Sequence, residues 1–105
     1  MDIAAASNET IFQRAKHVHP LNGATNLTAY GVELALVLDG TPAATDWFAA
    51  SWESTADADG FYFAKAEIGP GGAVTLTANN LYRIWLRLTL PTETPVIAGE
   101  FVFAY

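Results

Sequence analysis

The chain has no cysteine among its 105 residues. That excludes a disulfide framework, a thiolate zinc site and a cysteine nucleophile. A cysteine-free chain suits a reducing cytosol and equally a particle that persists both inside and outside a cell, so it constrains compartment little. Positive charge is also scarce. Five bases face eleven acids for a net charge of −6, and Arg14, Lys16, Lys65, Arg83 and Arg87 form no run. Neutralising phosphates needs a basic stripe, so neither nucleic acid nor an anionic membrane surface is predicted as a partner. Long apolar runs are missing as well: the apolar stretch 32–38 is interrupted by Glu33 and is far shorter than the roughly 20 residues that span a bilayer. The opening Met1-Asp2-Ile3-Ala4-Ala5-Ala6 has neither a basic segment nor a sustained apolar one, so no secretory signal is predicted. The sequons at Asn8 and Asn26 are accordingly read as chance matches.

Residues suited to chemistry are few and poorly placed. His17 and His19, two apart, share one side of a strand and resemble half a metal site, but no third ligand lies nearby and zinc sites collect three or four. Asp57-Ala58-Asp59-Gly60 opens like a calcium loop, yet the stretch 64–68, where such a loop places its closing glutamate, reads as strand. Gly69-Pro70-Gly71-Gly72 lacks the Lys-Ser/Thr and the helix of a phosphate-binding loop and is predicted to be a turn. A hydroxyl nucleophile would need one of the two histidines, both near the start of the chain. Asp46, Glu53, Asp57 and Asp59 would have to converge for paired-carboxylate hydrolysis, which usually takes a larger scaffold around a sugar cleft. No enzymatic activity, cofactor or metal is predicted.

What the chain has is apolar alternation. Half its residues are hydrophobic and 15% are charged, enough to bury one core and too few residues for a second. Residues 1–9, small, polar and aperiodic, are predicted to be a flexible N-terminal arm, and residues 10–105 a single domain. Strand patterns follow at 10–18, 30–38, 47–53, 61–68, 73–77, 81–90 and 96–105, separated by turn residues at 21–26, 39–42, 54–60 and 69–72. In 81–90, Tyr82, Ile84, Leu86, Leu88 and Leu90 share one face, with Arg83, Trp85, Arg87 and Thr89 on the other. In the last run Phe101, Phe103 and Tyr105 oppose Val102 and Ala104. Seven strands at this spacing predict an all-β fold, an immunoglobulin-like antiparallel β-sandwich.

Tyr82, opening the strongest strand after Ala78-Asn79-Asn80, is read either as the tyrosine that locks a Greek-key corner or as a plain strand aromatic. Trp85 has two readings too: facing solvent beside Arg83 and Arg87 as part of a binding surface, or buried between the sheets. Trp47, Phe48 and Trp52 carry the same pair of readings. Tryptophan and arginine are the residue types enriched at binding hot spots, so the candidate interface is Arg83, Trp85, Arg87, Trp47 and Trp52. Aromatics of this kind also permit a carbohydrate-binding module that stacks on cell-surface glycans.

One constellation goes further. Asp46-Trp47, Ala50-Ser51-Trp52-Glu53, Phe61-Tyr62, Ile68-Gly69-Pro70-Gly71-Gly72, Tyr82 with Trp85 and Thr89, and Glu93 with Pro95-Val96 and Gly99 together resemble a family of small proteins encoded in the virion structural gene clusters of tailed phages and prophages of actinobacteria. The N-terminal third and first loops depart from that pattern. The resemblance implies an Ig-like virion module, assembled in the bacterial host cytoplasm. Its expected role is capsid decoration or cementing, with the major capsid protein or other virion proteins as partners and with self-association. A head-to-tail connector or tail component is the alternative.

Overall fold

A computed structural model describes residues 1–19, 23–24, 26–53 and 56–105, with backbone alone at 18, 19, 23 and 24. The His19 side chain, most of the turn expected at 21–26 and the start of the loop at 54–60 lie outside the described residues. Among the described residues the fold is all-β. In chain order the strands are β1 (Asp2–Ile3), β2 (Glu9–Ala15), β3 (Val18–His19), β4 (Gly23–Ala24), β5 (Gly31–Val37), β6 (Phe48–Ala49), β7 (Ser51–Trp52), β8 (Tyr62–Ile68), β9 (Asn80–Thr89) and β10 (Val96–Ala104). A short 3₁₀ turn, Leu27–Ala29, precedes β5, capped by the Asn26 side chain, which accepts from the Thr28 N–H.

Two sheets enclose the core. One has five strands in the order β1-β10-β9-β5-β6; the other has three, β2-β8-β7, and β3-β4 form a small separate hairpin. Alternation dictates which faces meet. Val32, Leu34 and Leu36 of β5 lie opposite Leu88, Leu86 and Ile84 of β9, and this row packs on Ile11, Ala15, Ala64 and Ile68 of the smaller sheet. Leu34, Ile84, Leu86, Leu88, Ile11, Ile68 and Val102 are fully buried. Burying each such aliphatic side chain is worth about 1.5–3 kcal/mol.

Three expectations need correction. Residues 1–9 are not a free arm: Asp2–Ile3 pair in parallel with Phe103–Ala104, the Ala5 N–H donates to the Tyr105 carbonyl, and Ile3 is buried. The larger sheet is therefore mixed rather than purely antiparallel. So short a strand, with one side chain in the core, leaves no period to read. The expected strand 47–53 is split: Phe48–Ala49 pair with β5 and Ser51–Trp52 with β8, so the chain changes sheets at Ala50, whose N–H donates to the Val32 carbonyl. Three small residues, Ala49, Ala50 and Ser51, permit the bend. Residues 73–77 form no strand. Ala73 N–H bonds back to the Glu67 carbonyl and Gly69 N–H to that of Val74, while Val74 and Leu76 still pack on the core. Gly69, at φ 111°, is required here, because a Cβ would collide with the Ser7 carbonyl.

That crossing from β8 to β9 ends at Tyr82. Its ring is buried and its hydroxyl accepts from the Thr77 N–H at 2.9 Å. Tyr82 thus locks the corner between the sheets, one of the two roles the sequence left open.

Candidate binding face on the five-stranded sheet

The outward side of the five-stranded sheet is built from the residues that alternate with the core row. Register places Glu33, Arg87 and Val96 side by side, then Ala35, Trp85 and Ala98, then Val37, Arg83 and Phe101, then Leu81 and Phe103. A bulge between Ala98 and Phe101 adds one residue to β10 relative to β9 and reverses its alternation, so that both Ala98 and Phe101 face outward. The bulge has its own support. From the opposite sheet, the buried Gln13 side chain accepts from the Glu100 N–H at 3.1 Å. Any side chain at Gly99 would run into that amide.

The bulge also turns the Gly99 carbonyl toward Arg83, whose Nε donates to it at 3.1 Å. The Arg83 guanidinium lies 4.9 Å from the Phe101 ring centroid and 5.8 Å from that of Trp85. Among the described residues no carboxylate forms an ion pair with it. Arg87 differs: Nε and Nη2 both donate to Glu33 Oε1, at 3.0 and 2.6 Å, and the guanidinium covers the Trp47 ring at 4.6 Å. The face thus carries one neutralised cation and one without a carboxylate. Around them Leu81, Val96 and Phe101 are each about half exposed, and Phe103 is 37% exposed.

Four of the five residues singled out from the sequence come together here: Arg83, Trp85, Arg87 and Trp47. Trp85 lies on the outer face and not between the sheets, half-buried, with its indole N–H buried and, among the described residues, without a hydrogen-bond partner. Trp52 is elsewhere. Its indole N–H donates to the Tyr30 carbonyl at 2.9 Å, its ring meets Tyr62 edge-on at 6.3 Å, and it packs on the core. Leu81, Val96, Phe101 and Phe103 belong to the face although they were not singled out. For Leu81, Phe101 and Phe103 the signal was present, since they fall out of phase with buried Tyr82, Val102 and Ala104; Val96 shares the phase of Val102 and Ala104 and faces outward only because the bulge reverses the alternation.

His17, Asp46, Glu53 and Asp57 have partners close by. His17 Nε2 is 2.8 Å from Glu93 Oε1. Asp57 Oδ1 accepts from the N–H groups of Asp59 and Phe61, both at 2.9 Å, closing the turn before β8. Asp46 accepts from the Ala43 N–H, and Glu53 pairs with Lys65 at 3.2 Å. Among the described residues no three His, Asp or Glu side chains are grouped to hold a metal ion.

The geometry therefore defines a two-sheet all-β protein with an aromatic and apolar outer face. Compared with protein-family models, curated proteins and solved structures, the chain matches none.

Proposed function

We propose that the chain is an immunoglobulin-like virion structural module, a capsid decoration or cement protein, that binds the major capsid protein through the outer face of its five-stranded sheet. The observation that carries the docking surface is the exposed group Leu81, Phe101 and Phe103 around Arg83, with Val96 beside Arg87. So continuous an apolar patch on a small domain marks an interaction site. The virion assignment is supported by the resemblance across residues 46–99. The immunoglobulin-like assignment is supported by the strand order β1-β10-β9-β5-β6 over β2-β8-β7 and by the Tyr82 corner.

Cementing is mechanical in this reading. Each copy buries the aromatic row against capsid subunits, at about 25 cal/mol per Å² of apolar surface removed from water, and many copies together oppose expansion of the shell. Arg83, which forms no ion pair with a carboxylate among the described residues, meets an acidic group of the capsid and fixes the orientation. Glycan binding has less support: Trp47 lies under Arg87, Trp52 is held by Tyr30 and Tyr62, and Trp85 is half-buried beside Arg83.

Quantifying the protein in purified particles tests the assignment. A decoration protein is present in hundreds of copies per particle. A connector closes into a ring of about a dozen or fewer, and absence from particles overturns both virion readings.

A further inference from the structure

We infer that a second copy of this chain pairs with β2, edge to edge and antiparallel, joining the three-stranded sheets of two molecules into one. This pairing is independent of what the five-stranded sheet binds. Of the four edges of the two main sheets, three are strands of two residues each: β1, β6 and β7. The fourth, β2, is seven residues long, and its register with β8 runs unbroken from Glu9 opposite Ile68 to Ala15 opposite Tyr62. It contains no proline and no bulge, and among the described residues no strand lies on its other side. Proteins ordinarily shorten, bend or cover an edge of this length, because the N–H and C=O groups along it template pairing with another chain; here the Arg14 carbonyl accepts from Gln13 Nε2 at 3.2 Å and retains its second lone pair for a partner strand.

The chemistry of β2 favours its own copy as the occupant. With the two-fold axis at Phe12, antiparallel pairing sets Phe12 against Phe12 and Thr10 against Arg14. All three side chains lie on the outer face, where their neighbours on β8 are Lys65 beside Phe12, Glu67 beside Thr10 and Phe63 beside Arg14. Arg14 of one copy is then separated from Glu67 of the other only by a short threonine, and the contact occurs twice. Glu67 forms no ion pair among the described residues. Arg14 lies against the Phe61 ring at 4.6 Å with its residue exposed. Phe12, 40% exposed, is covered by its counterpart. A strand pair of this length buries less than the roughly 1,200 Å² of stable interfaces, so association is weak in free solution.

Sedimentation velocity across micromolar to millimolar protein, with amide exchange on the same samples, tests the inference. The expected mass rises toward twice the 11.2 kDa of the monomer, and the amides of residues 10–14 exchange more slowly as it does. Arg14→Glu and Glu67→Arg should each weaken dimerisation about tenfold, and the double variant should return to within about threefold of the native chain. A monomer at every concentration overturns the pairing. So does protection confined to another strand, or a dimer indifferent to both charge reversals.

Discussion

Arg83 and Gln13 show how single side chains set the outer face of the five-stranded sheet from either side of it. Gln13 reaches through the sandwich to hold the Glu100 N–H, and Arg83 takes the Gly99 carbonyl from outside. Between them the bulge keeps Phe101 outward. Gly99→Ala should therefore destabilise the fold by about 1–3 kcal/mol, the usual penalty of overpacking. The same substitution in a Gln13→Ala background should cost less, because the colliding amide is gone; paired urea denaturations measure the coupling. At the corner, Tyr82→Phe removes the acceptor of the Thr77 N–H and should cost about 1 kcal/mol. Urea denaturation gives the magnitude, and amide exchange at Thr77 shows whether the corner has loosened.

At the scale of elements, β1 is the strand whose importance is least apparent from its length. It lies at the edge of the larger sheet and contributes a fully buried Ile3. Ile3→Ala should lower stability by about 2–5 kcal/mol, as for other large-to-small core changes. A loss below about 0.5 kcal/mol in thermal or urea unfolding would mean that the first residues are a loose arm after all. The long strands were legible because alternation is forced wherever one face is buried: Val32, Leu34 and Leu36 on β5, and Tyr82 to Leu88 on β9. That alternation also separated Arg83, Trp85 and Arg87 from the core row. It could not say whether a second layer covered them, and Trp85 therefore had two readings. Short segments carry no such period. Trp47 and Trp52 read as one strand, yet the switch at Ala50 sends Trp47 to the outer face and Trp52 to the core, where Tyr30 and Tyr62 hold it. Residues 73–77 have the β-branched composition of a strand, but Ala73 and Val74 bond back to Glu67 and Gly69 and Thr77 bonds to the Tyr82 hydroxyl, a tertiary outcome that local pattern does not encode.

At the scale of the whole molecule, net charge and surface divide into two parts. The chain carries −6 overall, whereas the centre of the outer face holds Arg83 with no carboxylate paired to it among the described residues. A partner that is acidic and apolar meets that centre favourably and other surfaces of the molecule unfavourably. Phe101→Asp places a carboxylate beside Arg83 and removes half-exposed aromatic surface. It should leave unfolding close to native while lowering re-binding to stripped capsids at least about tenfold, as loss of a central hot-spot residue does. Comparable re-binding by the variant and native proteins would place the interface elsewhere. The most direct measurement is a reconstruction of particles purified from the host that encodes the chain. The proposed capsid role predicts its density on the outer capsid surface, with Leu81, Arg83, Trp85 and Phe101 turned toward capsid subunits; particles without the protein, or with that sheet face turned to solvent, would contradict it.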